Sequence, residues 1–550
     1  MIYPKKPLAQ SILSICKSKA ISQIIISPGS RNAPLTIGFA NDDFFKTYSI
    51  ADERCAAFFA MGIAQQTEQP TALVCTSGSA LLNYYPAVAE AFYSQIPLIV
   101  ISADRPAEKI DIGDGQTIRQ RNVFENHIIF SANLTEEASA ENDAKIQEAI
   151  HLSKINKGPV HINVPFEEPL YETVSQLIVT PKFVDFEDKK STEISLENFA
   201  EQWNHAAKKL ILVGVNEPKK IDQKWLELLA NDPSVVVMTE TTSNLHHPKF
   251  VNNIDTIITP FSDEDFKNFQ PEILLTFGGM IVSKRIKAFL RKYKPAEHWH
   301  VDNLRAYNTF GALTYHFEFE PNLFLENFLP KIQFKNSDYN QNMQSLRMFR
   351  KAKHDAYLKE IPYCDFKVFD EVLSSLPTES MLQIGNSSAI RYAQLIDIHP
   401  EIEVFCNRGT SGIDGSTSTA IGASLFGKKN NFVITGDISF FYDSNALWNQ
   451  YIPENFKIIV VNNGGGGIFR ILPGHNETPV FNTYFETSHS LSAKHLAKMF
   501  GFQYFSVDNE IDLSSQLSAF YASGKKSILE IFTPTTVNDK VLLQYFKALS

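Results

Sequence analysis

Two apolar runs near the end of this 550-residue chain constrain its fold more than any other feature. Asn431-Phe-Val-Ile-Thr-Gly-Asp437 reads as a buried strand ending in an acid, and Lys457-Ile-Ile-Val-Val-Asn-Asn463 as another ending in amides. The interval between them holds one helix, predicted over Ser439 to Tyr451, so the strands run parallel through a helical crossover. Both strand ends then open on the same edge, where ligands of open α/β sheets bind. Behind Asn463 runs Gly464-Gly-Gly-Gly467, which lets backbone approach a diphosphate without Cβ clashes. A carboxylate, an amide oxygen and a glycine-loop carbonyl at one edge suit Mg²⁺, a hard cation that takes oxygen ligands together with phosphate.

The same alternation continues along the chain. Strands are predicted at Gln23 to Ile26, Ala72 to Cys75, Pro97 to Ser102 and Pro159 to Val164, then at Leu210 to Val215, Ser234 to Met238 and Ile273 to Phe277. They resume at Met381 to Ile384, Glu403 to Phe405, Phe432 to Thr435, Ile458 to Val461 and Ser527 to Ile531. Polar stretches from Pro181 to Glu193 and from Lys335 to Gln344 read as linkers. The expectation is therefore three doubly wound parallel-sheet α/β domains, over 1–180, 194–334 and 350–550, the first and third sharing a layout. With 44% hydrophobic and 20% charged residues the chain is globular, and a net charge of −10 argues against nucleic acid as a partner. Five scattered cysteines without a Cys-x-x-Cys pattern suit a reducing cytoplasm. The first residues lack the apolar core of a signal peptide, and no run approaches the ~20 apolar residues of a membrane span. The pairs His246-His247 and His298-Trp-His300 have no partner at zinc spacing and read as surface or packing residues. No Gly-x-x-x-x-Gly-Lys-Ser/Thr occurs to support a nucleotide hydrolase.

The Gly-Asp pair followed by Asn-Asn resembles the diphosphate-binding signature of thiamine diphosphate enzymes. Those enzymes also carry an early glutamate beside the cofactor's aminopyrimidine ring, where a shared proton favours the imino tautomer. Ile50-Ala-Asp-Glu53-Arg-Cys-Ala-Ala-Phe-Phe-Ala-Met-Gly-Ile63 fits, with Asp52 as N-cap and an apolar stripe of Cys55, Phe58, Phe59, Gly62 and Ile63 behind it. A first-turn glutamate also complements the helix dipole, and the catalytic reading of Glu53 rests on its company with the second motif.

Further motifs bear on the substrates: Ser27-Pro-Gly-Ser-Arg-Asn-Ala-Pro, Thr76-Ser-Gly-Ser79, Ser102-Ala-Asp-Arg-Pro106, Gly113-Asp-Gly-Gln-Thr-Ile-Arg-Gln120, Ser283-Lys-Arg285, Gly385-Asn-Ser-Ser-Ala-Ile-Arg391 and Asn407-Arg-Gly-Thr-Ser-Gly-Ile-Asp-Gly415. Arginines recur just past strands, and arginine suits bidentate carboxylate recognition. One such arginine reads as a structural ion pair. Several converging on one edge call for anionic ligands. In this order, over nearly the full length, the motifs resemble the 2-succinyl-5-enolpyruvyl-6-hydroxy-3-cyclohexene-1-carboxylate synthases of menaquinone biosynthesis. Gly436-Asp-Ile-Ser439, in place of the commoner Gly-Asp-Gly, is similar to that family's form. Gly464 and Gly467 depart from the family's Asn and Gln, and the central domain matches poorly outside Ser283-Lys-Arg285.

The resemblance implies thiamine diphosphate with Mg²⁺ or Mn²⁺, the metal on Asp437, Asn463 and Gly465. It implies decarboxylation of 2-oxoglutarate and addition of the succinyl carbanion equivalent to isochorismate. Ser387 and Arg391 would hold the succinyl carboxylate, while Ser30, Arg31, Arg105, Gln116, Lys284 and Arg408 would face isochorismate. Glu53, Gly436, Asp437, Ser439, Asn463, Gly465 and Gly466 would contact the cofactor. Ile413 would bend it, and Ile468, Phe469 and Leu472 would wall the site. Sites would form between the first domain of one subunit and the third of another, in a dimer at least and a tetramer by family habit. Two other readings remain open: an acetolactate-synthase-like carboligase, for which so many cations are superfluous and no flavin fingerprint is evident, and a non-catalytic sensor, which loss of Glu53 or Asp437 would have signalled.

Overall fold

The computed structural model describes residues 2–186, 194–428, 430–471 and 477–550. The predicted buried runs become strands of three parallel sheets, most of them inner strands. The first contains β1 (Gln23–Ile26), β2 (Lys46–Ser49), β3 (Thr71–Cys75), β4 (Leu98–Asp104), β5 (Phe130–Asn133) and β6 (Pro159–Pro165) in the order β2-β1-β3-β4-β6-β5. The second contains β7 (Lys209–Val213), β8 (Val235–Thr239), β9 (Ile273–Phe277), β10 (Glu297–Val301) and β11 (Tyr315–Phe317) in the order β8-β7-β9-β10-β11. The third contains β12 (Ser380–Ile384), β13 (Glu403–Phe405), β14 (Asn430–Gly436), β15 (Phe456–Asn462), β16 (Gln503–Val507) and β17 (Ser527–Phe532) in the order β13-β12-β14-β15-β17-β16. The first and third sheets thus share one strand order. β14 and β15 are parallel neighbours, with Gly436 opposite Val461, so Asp437 and Asn463 emerge side by side. No described helix is long and apolar enough to cross a membrane. All five cysteines are free and buried.

The structure corrects two expectations. In place of one helix over Ser439 to Tyr451, a short helix Asp437–Tyr442 is followed by a 3₁₀ turn, Ser444–Leu447. At the break stands Asp443, whose buried carboxylate accepts from the Ser418 N–H at 2.7 Å and the Ser418 hydroxyl at 2.8 Å. The stretch Lys335 to Gln344 is only in part a linker. A helix spans Tyr339–Glu360, and its first turns dock on the central domain through buried Tyr339 and Met343 and the bond from Asn340 Nδ2 to the Val235 carbonyl. The other expected linker, Pro181 to Glu193, falls partly outside the described residues.

The first and third domains share one core. Helix Glu53–Thr67, capped by the Asp52 carboxylate on the Cys55 N–H at 3.1 Å, crosses helix Ser416–Ser424 at backbone contact. A Cβ on Gly62 would lie 2.1 Å from the Thr419 carbonyl oxygen, and one on Gly422 would lie 2.0 Å from that of Phe59. Around this crossing Phe58, Phe59 and Met61 are buried with Ile421, Phe440 and Leu447. The crossing fixes where the Asp52-Glu53 turn stands relative to the third domain, and polar bonds hold it there. Asn445 Nδ2 donates to Asp52 at 2.8 Å, and Arg54 donates to the Tyr442 carbonyl at 2.9 Å.

Candidate active site

At the end of β14 the buried Asp437 carboxylate accepts from the backbone N–H groups of Ile438 at 2.7 Å, Gly464 at 2.9 Å and Gly465 at 3.1 Å. Gly464 can present its N–H this way because it sits at φ +79°, a left-handed conformation that suits glycine. Burial raises the Asp437 carboxyl above its ordinary range, against the pull of those donors. Beside it, Asn463 Nδ2 donates to Asp365 at 2.9 Å, which leaves its buried Oδ1 without a hydrogen-bond partner. Asp365 is itself fixed by the Thr533 hydroxyl at 2.5 Å, and burial raises its carboxyl to about 6. An orphaned amide oxygen next to a desolvated carboxylate is a poor arrangement for protein alone and a good one for a hard cation. The Gly465 carbonyl, which accepts from Gly467 N–H at 3.0 Å, has a second lone pair to offer. A Cβ on Gly436 would meet nothing within 4 Å, so the strand end opens on free space. These residues fit a cation and the diphosphate it would carry.

Around this edge the third domain gathers cations. Ser387 stands at φ +67° at the start of the short helix Ser388–Ala393, and Arg391 donates to the Ser387 carbonyl at 2.8 Å. Arg408 donates to Asn386 Oδ1 at 2.7 Å, while its buried Nε has no partner. Burial and the nearby Arg408 both hold the Arg391 guanidinium below its ordinary range. Neither arginine forms an ion pair among the described residues. Ser439 donates its hydroxyl to the Ile413 carbonyl at 2.8 Å, tying the Gly-Asp-Ile-Ser turn to the loop that carries Ile413. Ile468 and Phe469 lie in a 3₁₀ turn, Gly467–Ile471, half-buried at the same loop. Leu472 lies outside the described residues. Lys284 is exposed at the first turn of helix Lys284–Lys292 in the central domain.

The first domain presents a second group. Arg31, 4% exposed, donates to the Phe166 carbonyl at 2.9 Å and pairs with Glu168 at 3.0 Å. Arg105 donates to the Gly115 carbonyl at 3.1 Å and lies 3.9 Å from the same Glu168. Ser30 and Gln116 are exposed beside them, Gln116 at φ +56°. Glu53 is half-buried, and burial with the neighbouring Asp52 charge raises its carboxyl above the ordinary value. Among the described residues no hydrogen bond or ion pair joins Glu53, Arg31 or Arg105 to Asp437, Asn463, Arg391 or Arg408.

Several supports of this arrangement escaped the sequence reading. Glu90, 1% exposed in the first domain, accepts from Gly409 N–H and Thr410 N–H, both at 2.6 Å, and so holds the loop that carries Arg408. Glu240 accepts from Val282 N–H and Ser283 N–H, both at 2.7 Å, and sets the start of the Ser283-Lys-Arg285 helix; burial raises it to about 7. His489 lies 3.4 Å from Asp437 Oδ2, with its Nδ1 accepting from Leu491 N–H. Gln120, four residues past Gln116, is buried and accepts from Gly78 N–H at 2.8 Å. The sequence signal for Glu90 is a polar residue inside an apolar run, which does not say what it meets; Glu240, Gln120 and His489 stand among polar residues that give no signal.

Two known domain families match the chain. The thiamine pyrophosphate enzyme N-terminal TPP binding domain covers residues 6–132, and the thiamine pyrophosphate enzyme C-terminal TPP binding domain covers residues 383–531. Among curated proteins, the 2-succinyl-5-enolpyruvyl-6-hydroxy-3-cyclohexene-1-carboxylate synthase of Flavobacterium johnsoniae is 66% identical over all of both chains. Its namesake in Christiangramia forsetii is 53% identical over 99% of each. That of Porphyromonas gingivalis is 35% identical over all of this chain and 98% of its own. The Gly-Asp and Asn-Asn strand ends, the Asp-Glu helix start and the full-length identity converge: this chain belongs to the 2-succinyl-5-enolpyruvyl-6-hydroxy-3-cyclohexene-1-carboxylate synthase family of thiamine diphosphate enzymes.

Proposed function

We propose that this chain decarboxylates 2-oxoglutarate and adds the remaining succinyl unit to isochorismate, giving 2-succinyl-5-enolpyruvyl-6-hydroxy-3-cyclohexene-1-carboxylate and CO₂ in menaquinone biosynthesis. One observation carries this reading beyond the family name: Arg391 and Arg408, whose mutual repulsion Asp255 offsets only in part, have no ion-pair partner among the described residues, and the buried Arg408 Nε has no hydrogen-bond partner. Anionic substrates resolve that repulsion. Thiamine diphosphate, when bound, supplies the carbanion chemistry of the reaction.

The chain's own residues divide the remaining work. Asp437, Asn463 Oδ1 and the Gly465 carbonyl would hold Mg²⁺ or Mn²⁺, and Gly436, Ser439 and Gly466 would line the diphosphate. Glu53, half-buried and above its ordinary pKa, would hold a proton beside the pyrimidine ring. Ile413, braced by Ser439, presses on the cofactor, and Ile468 and Phe469 exclude water beside it. Ser387 and Arg391 orient the distal carboxylate of 2-oxoglutarate. Ser30, Arg31, Arg105, Gln116, Lys284 and Arg408 meet the carboxylates of isochorismate. Glu53 and Asp437 of one site come from different chains, which makes the working unit a homodimer or a tetramer, in the cytoplasm. Mass spectrometry of products from 2-oxoglutarate and isochorismate, with and without thiamine diphosphate, tests the reading. The expected outcome is a cofactor-dependent succinylated cyclohexene product; release of succinic semialdehyde alone, with isochorismate unchanged, would overturn it.

A further inference from the structure

Helix Tyr339–Glu360 borders a cavity of about 140 Å³, close to the ~150 Å³ that admits benzene. Asn253, Thr256 and Ile257 of the central domain line one side, and Leu395 and Asp397 of the third domain line another. The helix contributes Arg347, Arg350, Lys351 and His354, which share one face by their spacing. Three of these four are satisfied by protein groups. Arg347 donates to the Pro248 and Phe250 carbonyls at 2.6 and 2.8 Å. Lys351 pairs with Asp355 at 3.1 Å and Asp397 at 3.2 Å, and Asp397 also accepts from Asn252 at 2.8 Å. His354 Nδ1 meets the Tyr545 hydroxyl at 2.8 Å.

Arg350 is different. It is 7% exposed, yet its Nε and Nη1 are buried without a hydrogen-bond partner; the guanidinium carbon lies 5.5 Å from the Phe349 ring centroid, and the nearby Asp265, which accepts from Ser262, makes no ion pair with it among the described residues. A buried guanidinium with unused donors is unfavourable unless an acceptor fills them. The only acid of the cavity lining, Asp397, is already engaged by Lys351 and Asn252.

We propose that this cavity is a binding site for a small oxyanion, phosphate or the carboxylate of a compact organic acid, gripped by the Arg350 fork. Ile257 and Leu395 offer an apolar wall to the body of such an acid. The site is separate from the candidate active site, since no residue assigned to cofactor or substrates lines it.

The test is calorimetric titration of the holoenzyme, loaded with thiamine diphosphate and Mg²⁺, with inorganic phosphate in one arm and benzoate in the other. Saturable binding of phosphate identifies an inorganic oxyanion site, and saturable binding of benzoate identifies a carboxylate site. Arg350→Met should weaken that binding by about 10- to 150-fold, the loss expected for a charge-assisted hydrogen bond. Arg350→Lys keeps the charge but not the planar fork, and should also bind several-fold more weakly; it decides the matter if the Met variant does not fold. Arg391→Ala should bind the probe as the unaltered protein does. No saturable binding of either probe, binding untouched by both Arg350 changes, or binding lost in Arg391→Ala would each overturn the proposal.

Discussion

The first and third domains share a strand order and a core, yet the ends they present to a ligand are opposites. In the first, Arg31 and Arg105 share one exposed acid, Glu168, at 3.0 and 3.9 Å, and the conspicuous group is another acid, Glu53, with no side-chain hydrogen bond to another residue among the described residues. In the third, the acid Asp437 is fixed by three backbone N–H groups, and the cations Arg391 and Arg408 have no ion-pair partner among the described residues. One scaffold thus carries an acid of raised pKa at one copy of its edge and a pair of arginines at the other. A cofactor whose pyrimidine ring meets the acid, with substrates whose carboxylates meet the cations, would match that polarity.

The sharpest way to break this contrast is Glu53→Gln. The change should lower turnover by about 10²- to 10⁴-fold, the range for a lost acid–base group, while thermal unfolding stays unchanged because the side chain supports no neighbour. Near-normal turnover in the purified variant would remove Glu53 from the proton exchange. Asp437→Ala attacks the opposite edge. Cofactor affinity should fall by at least about 10- to 100-fold, the loss seen even for groups that only support a metal ligand, and excess Mg²⁺ should recover part of it. Calorimetry with cofactor and metal reads this directly; unchanged affinity would mean that the cation is held elsewhere.

Arg391→Ala sharpens the account of the cation side. Losing a charge-assisted contact of ~1.5–3 kcal/mol corresponds to roughly a 10- to 150-fold fall in kcat/KM for 2-oxoglutarate. The KM for isochorismate should move much less. Steady-state kinetics with each substrate varied in turn check the split, and a loss confined to isochorismate would reverse the division of arginines between the two acids.

Much of this architecture was legible because it is local. The inner strands are uninterrupted apolar runs, and Asp437, Asn463 and Asp52-Glu53 each stand where such a run or its cap ends. By contrast β2, β5, β11 and β16 lie at sheet edges, where half-exposed sequences such as Lys46-Thr-Tyr-Ser49 and Gln503-Tyr-Phe-Ser-Val507 carry no clear period. β10 lies inside its sheet but is rich in His and Trp, which disguised it. The supporting acids were illegible for another reason: they act at long range. Glu90 holds a loop 319 residues away, and Asp365 orients Asn463 from 98 residues away. Nothing in the neighbourhood of either residue records its partner.

The remaining effect is on stability and concerns the seam where the two domains meet. Asp443 of the third domain is fully buried there, accepts from Ser418, and lies 3.8 Å from Arg54 of the first domain. Burial raises its carboxyl from 3.8 to about 6. A carboxyl whose pKa is higher folded than unfolded binds more protons in the folded state, so its contribution to stability is complete below the unfolded pKa and is lost as pH rises through the folded one. Asp443→Asn cannot ionise and lacks this dependence. Between about pH 4 and pH 7.5 the unaltered protein should therefore lose about 2–3 kcal/mol of unfolding free energy relative to the variant. Urea midpoints of both proteins across that range measure the difference. If the two curves stay parallel, Arg54 and Ser418 already offset the burial of Asp443, and the seam is no more sensitive to pH than the glycine-lined helix crossing beside it.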